Sequence, residues 1–464
     1  MVPDPRRSSL RSPSRSLAFP VLFVLLITTF TLHVSAIGPN GKNKVLLVLS
    51  KAEDQSDFGV LIKSLRDKKY DVTVTAATDK DTKLLVDGEY IYDAVILLTP
   101  ESDVYGKGVT PSVLLDFVDQ GGSVFVAADR KYSAATKKLV AGLGIQLDDL
   151  GTAVIDHGTS VPLLDDGSHT WVAAGGHTTS PAILGATKSS GTVIALDGPI
   201  VFHGIGATMF DGNELVDPVL WGSDTCYSAV PDSVLSEVPL VTGKSVVLGA
   251  VLQARNGARG AYLGSVSMLK DSVLKDGAKY KAHIQFVTSL VAWTCGEYGV
   301  LRVENLRHQH SVTKEQMDTY KIMDEIEVFV DVSEWDGGNG HWVAYISEDM
   351  QLEFTMLNPY IRTRLTSYID KHNLHTSVYT AKLLIPNVIG IYKFVIEYVR
   401  TGYSFVYVME NVNVRPFGHN EYERFLPQAF PYYISAVLMI VNVVGFGLVV
   451  LYGRPTIEME SKNQ

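Results

Sequence analysis

Seven side chains in the middle of the chain are of the types that hold metal ions: His157, His169, His177 and His203, with Asp156, Asp165 and Asp166. Zinc sites draw such ligands at helical steps or in ribbon spacings, and these seven follow neither pattern. Surface or structural histidines are the favoured reading, and no metal site is assigned. His308-Gln309-His310 is an equally weak signal. Asp79-Lys80-Asp81 has the D-x-D form of some sugar-nucleotide transferases, but in a polar loop such acids are usually solvated. Arg255 and Arg259 flank Asn256-Gly257, where two guanidinium groups could contact an anion or simply sit in water. Cys226 and Cys295 can pair in an oxidising compartment only if their Cα atoms come close, which spacing does not decide.

Phosphate binding and nucleophilic catalysis leave firmer signatures, and these are missing. No G-x-x-x-x-G-K-[ST] occurs, and Gly204-Ile205-Gly206 lacks the third glycine of a dinucleotide loop. Gly121-Gly122-Ser123-Val124-Phe125 and Gly264-Ser265 both fail the G-x-S-x-G elbow. The turn after Val124–Ala127, where an amidotransferase-like lobe carries its nucleophile, holds Ala128-Asp129-Arg130. No catalytic and no cofactor-binding residue is assigned.

The elements around these residues fall into three segments. Residues 37–150 read as a Rossmann-like, amidotransferase-like α/β lobe. Apolar strands at Val45–Leu49, Val72–Thr75, Ala94–Leu98 and Val124–Ala127 alternate with helices at Asp57–Lys68, Pro111–Gln120 and Tyr132–Leu143. Such alternation indicates a parallel sheet covered on both faces. Pro111 opens a helix and Gly121 closes it. Residues 151–299 read as a second α/β or mixed lobe, with strands at Val193–Leu196 and Val246–Gln253 and a helix at Gln285–Cys295. Asn256-Gly257 marks a hairpin into Ala261–Val266. Whether this segment extends the first sheet stays open. Residues 300–415 change to short strands of period two: Ile326/Val328/Val330, Leu352/Phe354, Tyr392/Phe394/Ile396 and Phe405/Tyr407. That spacing predicts a membrane-proximal β-sandwich.

The ends supply the address. Residues 1–36 read as a secretory signal peptide: Arg6, Arg7, Arg11 and Arg15, then an apolar run, then Val34-Ser35-Ala36. After a juxtamembrane segment, 416–433, Ile434–Tyr452 carries no charge. At ~1.5 Å per residue it nearly matches the roughly 30 Å hydrocarbon layer. Phe430, Tyr432, Tyr433 and Tyr452 flank it as interfacial aromatics. Residues 453–464 form a cytosolic tail too short for a signalling module. A single-pass type I protein with a lumenal body is expected. Charged residues make up 19% of the chain, below the typical share of about 25%, and mean hydropathy is +0.13. The net charge of −10 disfavours a nucleic-acid partner. No Asn after residue 36 stands in N-x-[ST], which is unusual for a cell-surface ectodomain.

Several blocks resemble a known family. They are Gly88–Pro100, Phe117–Ala128, Thr152–His157, Leu252–Arg259, Gln351–Phe354, Asn358–Arg362 and, most closely, Tyr422–Tyr433. In this order, over nearly the whole chain, they resemble the non-catalytic forty-eight-kilodalton subunit of the endoplasmic-reticulum oligosaccharyltransferase. The resemblance implies an architectural subunit of the complex that moves a preassembled glycan from dolichyl pyrophosphate to Asn of N-x-S/T in nascent proteins. It also implies a separate multi-span catalytic subunit with its own metal, further partner subunits in the endoplasmic-reticulum membrane, and no cofactor on this chain. One departure is the tail, where Ser461 stands at the fourth position from the end and Lys462 at the third. A lumenal hydrolase on the α/β lobe and a type I receptor or sugar-binding ectodomain are the rival readings.

A subunit without catalytic residues must act through contacts. Ser435, Asn442, Gly445 and Val449 share one stripe of the span. Small residues there let helices approach, and an amide can hydrogen-bond across them. An Asn merely tolerated by the bilayer is the competing reading.

Overall fold

The computed structural model describes residues 41, 43–79, 82–185, 196, 198–231, 238–239, 241–275, 280–369, 373–422 and 424–453. The leader at 1–36, Lys80 and Asp81, the strand read at Val193–Leu196 (but for Leu196) and the tail beyond Gly453 lie outside them.

The α/β part is built on β1 (Lys44–Leu49), α1 (Gly59–Asp67), β2 (Asp71–Ala76), β3 (Ala94–Leu98), α2 (Pro111–Asp119), β4 (Ser123–Ala127) and α3 (Ala134–Gly142). It continues with β5 (Ile145–Leu147), β6 (Gly176–His177), β7 (Ala207–Met209), β8 (Val216–Trp221), β9 (Val247–Gln253), β10 (Arg259–Leu263) and α4 (Lys281–Thr294). The main sheet runs β6-β8-β9-β10-β4-β3-β1-β2, with β7 bridging β9 and β5. Strands β2, β1, β3, β4 and β10 are parallel, and β9, β8 and β6 join antiparallel.

Strand β1 shows why its residues read as one apolar run. Val45, Leu47 and Leu49 pack with α1 and α4, whereas Leu46 and Val48 face α2 and α3. Both faces are dry, so every position must be apolar. Helix α2 has Pro111 in its first turn, and Thr110 Oγ1 accepts from the Val113 N–H at 3.4 Å. It ends at Gly121, whose φ of +94° an L side chain resists.

The question left open for residues 151–299, whether they extend the first sheet, is answered by the strand pairing. Strand β10 pairs in parallel with β4, from Gly260↔Val124 to Leu263↔Ala127. The β9–β10 hairpin, turned by Asn256-Gly257, therefore extends the first sheet instead of starting another. Burying the open edge of β4 satisfies its unpaired N–H and C=O groups, which a second lobe would have left exposed.

The sandwich comprises β11 (Leu301–His310), β12 (Thr319–Lys321), β13 (Glu325–Asp336), β14 (His341–Ala344), β15 (Gln351–Thr355) and β16 (Pro359–Arg364). It is completed by β17 (Thr366–Ile369), β18 (Ser377–Leu384), β19 (Gly390–Tyr398) and β20 (Val406–Arg415). One sheet runs β11-β13-β18-β17 with β14 on β13; the other runs β12-β20-β19-β15-β16. Ile326, Val328, Val330 and Val332 face Phe354, Tyr392, Phe394 and Ile396 across a common core. The period read at Phe405/Tyr407 is displaced by one residue: Val406 points inward and Tyr407 outward. Helix α5 (Phe430–Tyr452) follows, long and apolar enough to cross a membrane and unburied throughout.

Candidate functional site

In an open α/β sheet the carboxyl ends of the parallel strands are where chemistry is placed. After β4 that edge presents Asp129 and Arg130, half-buried, with the Arg130 N–H donating to Asp129 Oδ1 at 2.7 Å. Burial raises the Asp129 carboxyl, against the lowering effect of that N–H and of nearby His203 and Lys270. His203 stacks on Trp171 with ring centres 4.6 Å apart, and its Nδ1 lies 3.3 Å from the Thr170 carbonyl. Burial lowers its pKa, against the raising effect of the Thr170 carbonyl and of Asp129. Neither thiol reaches this edge in an activated form. Cys226 and Cys295 are both free and buried, so the pairing left open by the sequence does not occur. Burial pushes them up to about 11 and about 12, which leaves almost no thiolate at neutral pH. The folded chain should therefore resist maleimide at pH 7 and yield two equivalents of label once denatured; labelling before unfolding would contradict this placement.

The histidines and acids of 156–203 do not converge. Among the described residues no three His, Cys, Asp or Glu side chains come close enough to hold a metal ion. Instead, Asp156 forms a hydrogen-bonded hub. It is wholly buried and accepts from the Thr159 hydroxyl (2.6 Å), the Thr225 hydroxyl (2.8 Å), the Gly158 N–H (2.8 Å) and the Ser223 hydroxyl. Burial alone would raise its pKa, but these donors outweigh that and hold it at about 2. The carboxylate pins the loop after residue 155 to the segment 223–225. His157 and His169 meet edge-to-face beside it at 4.6 Å, and His169 lies 3.4 Å from Asp165.

Of the two hairpin arginines read as possible anion contacts, Arg259 is corrected: it is enclosed by protein. Arg259 is 2% exposed. Its Nη1 donates to the carbonyls of Trp293 (2.8 Å) and Tyr298 (2.6 Å), and its Nε to Gln253 Oε1 (3.0 Å). The guanidinium lies over the Trp293 ring at 4.7 Å, so no anion can reach it. Burial pulls it down to about 9, and it stays charged. Arg255 is exposed and lies over Phe405 of the sandwich at 5.5 Å. Both side chains thus serve the junction between the α/β part and the sandwich. Trp293 Nε1 donates to the Gly402 carbonyl at 2.7 Å, Ser180 Oγ to Thr401 at 2.8 Å, and the Ser404 N–H to Gly299 at 2.8 Å. Lys68 and Glu297 pair at 2.8 Å on the same side. Sequence reasoning missed this junction because its acceptors are main-chain carbonyls, which have no residue signature.

On α5, Asn442, Gly445 and Val449 are exposed on one side, and a Cβ placed at Gly445 would meet nothing within 4 Å. Ser435 Oγ donates back to the Tyr432 carbonyl at 2.8 Å, so its hydroxyl is already satisfied within the helix.

Fold and site define a two-part body carried on one apolar helix. Residues 37–297 match the family described as OST48, N-terminal domain, and residues 308–454 match the OST48 middle domain. A protein of Arabidopsis thaliana named dolichyl-diphosphooligosaccharide–protein glycosyltransferase 48 kDa subunit is 33% identical over 453 residues, covering 95% of this chain and 99% of its own. The proteins of that name in Danio rerio and Caenorhabditis elegans are 32% and 31% identical, each covering 93% of this chain and 96% and 95% of their own lengths. The chain belongs to this 48 kDa subunit family. A solved ThuA-like protein from Parabacteroides merdae superposes with a TM-score of 0.29 at 11% identity, over 55% of this chain and 91% of that one, too loosely to carry an argument.

Proposed function

We propose that the chain is a non-catalytic, architectural subunit of an oligosaccharyltransferase, held in the endoplasmic-reticulum membrane by α5 with its body in the lumen. Family membership over both parts of the body is the observation that carries this reading. The local chemistry supports it: the edge after β4 offers Asp129 and Arg130, and both thiols are buried and protonated. The α/β part is then a Rossmann-like, amidotransferase-like scaffold with Asp129 near the usual nucleophile position, and glycan transfer belongs to a separate multi-span subunit. Depleting the protein from cells should lower sequon occupancy across many glycoproteins and destabilise partner subunits. Unchanged occupancy with an intact complex would overturn the reading.

The stripe Ser435, Asn442, Gly445 and Val449 is the proposed docking face for neighbouring helices. An amide in hydrocarbon gains roughly 0.6 to 2 kcal/mol from a partner across the interface. Asn442→Leu with Gly445→Leu should reduce co-purification of partner subunits in mild detergent, while Ile440→Leu on the opposite face should not. Wild-type recovery of the double variant would move assembly to the lumenal body.

A further inference from the structure

The end of the sandwich nearest α5 carries an unusual set of side chains. Strand β20 ends at Arg415, and the register fixes what lies beside it. Lys321 of β12 pairs with Arg415, and Gly390 of β19 with Val414. Leu384 of β18 pairs with Glu325 of β13, and His310 of β11 with Ile326. Thr355 of β15 pairs with Lys393 of β19. Four turns therefore crowd this one end: 311–318, 322–324, 356–358 and 385–389. Each has an apolar residue at its tip, and the tips are open: Val312 is 79% exposed, Met323 51%, Leu357 92% and Ile389 57%. Ile391 beside them is 63% exposed. Met323 holds a φ of +64°, a conformation that costs a non-glycine residue energy. Two turns are tied together, since the Met323 N–H donates to Ile385 (3.2 Å) and the Ile385 N–H to Asp324 (2.9 Å). Residues 383–392 contain no charge.

The connection to α5 is short. Arg415 grips Glu421 with two hydrogen bonds (2.7 and 2.9 Å), and Phe417 packs on the sandwich core and against Tyr422 at 5.6 Å. On the other side the Leu426 N–H donates to the Tyr433 hydroxyl at 3.2 Å, and Phe425 stacks on Tyr433 at 4.8 Å. Four extended residues reach at most about 14 Å, which bounds the distance from Tyr422 to Leu426. The chain leaving this end of the sandwich, fixed as far as Tyr422, is thus held within that distance of the point where it enters hydrocarbon.

We infer that this end of the sandwich rests on the lipid surface, with Val312, Met323, Leu357 and Ile389 dipping into the interface of the lumenal leaflet. Exposed apolar tips on four separate turns suit a fluid surface that deforms around each one. The cations just behind the tips are already paired: Lys314 and Lys382 with Glu327 (2.6 and 2.8 Å), Lys321 with Asp324 (3.6 Å) and Arg415 with Glu421. These four cations share three carboxylates and so carry little net charge, and a zwitterionic surface is enough. The contact goes beyond the proposed function and rests only on α5 spanning a membrane.

The test uses the full chain with an environment-sensitive fluorophore on single cysteines: Ile389→Cys, Leu374→Cys and Val441→Cys. Leu374 is the control, 73% exposed beside the opposite end of β18. The native thiols are buried, and the unsubstituted chain measures any background. Each protein is labelled in detergent and reconstituted into phosphatidylcholine vesicles with nitroxide at a shallow or a deep acyl position. The residue-389 probe should be quenched several-fold more by shallow nitroxide than the residue-374 probe, and the residue-441 probe by deep nitroxide. Equal, weak quenching at 389 and 374 with the helix probe quenched would overturn the lipid contact while leaving the span intact. A blue-shifted but unquenched probe at 389 would mean a protein cover and overturn it as well. An unquenched helix probe would remove the span and this proposal together.

Discussion

Arg259→Ala should destabilise the full chain in mild detergent by about 4 kcal/mol, the scale expected for stranding buried acceptors and opening a cavity. The carbonyls of Trp293 and Tyr298 and the Gln253 side chain would all lose their donor, and the Trp293 ring its covering cation. Arg259→Lys should recover part of the loss, because one ammonium reaches at most some of the three acceptors. Denaturant midpoints measure the series, and limited proteolysis at 296–300 should report a loosened junction in the alanine variant. An alanine variant as stable and as resistant as the unsubstituted chain would mean that the junction is held by its apolar contacts alone.

Asp156→Asn should cost about 2 kcal/mol at neutral pH, and the difference should depend on acidity in a defined direction. The carboxyl sits at about 2 in the fold against 3.8 when free. Its contribution is complete above about pH 5, falls as the pH drops through the free value, and is lost as the folded carboxyl itself protonates below about 2. Denaturant midpoints of the two proteins should therefore run apart at pH 6 and converge towards pH 2. A gap that stays constant over that range would show that the charge is not what the four donors recognise.

The readable parts of the sequence were those where burial dictates residue type on both sides of an element. β1, β3 and β4 are uninterrupted apolar runs because helices cover each face, and Asn256-Gly257 announces its hairpin because Gly257 sits at φ +86°. β13 and β19 betray the sandwich through Ile326, Val328 and Val330 and through Tyr392, Phe394 and Ile396, apolar at every second position and buried. What stayed hidden depends on pairing across long separations. Nothing in Arg259–Leu263 names Ser123–Ala127 as its neighbour, so the extent of the sheet was left open. Arg259 beside a turn looks like a solvated charge; only the tertiary arrangement encloses it. At Phe405 and Tyr407 two aromatics imposed a period that the smaller Val406 in fact defines from the inside. The Asp156 hub was equally invisible, since its partners are three hydroxyl residues of types found in any polar loop.

The parallel pairing of β4 with β10 also sets an order of assembly on a chain that is made from its N-terminus. Strands β1 to β4 and their helices can gather early, because their contacts are close in sequence. β4 would then present an open, apolar edge of unpaired backbone until residues 128–258 have followed and Arg259–Leu263 arrives to close it. Throughout that interval the half-built sheet is a template for any passing strand. Its nascent form should be a client for holding chaperones, released only when the late strand completes the sheet and Arg259 docks beneath the sandwich.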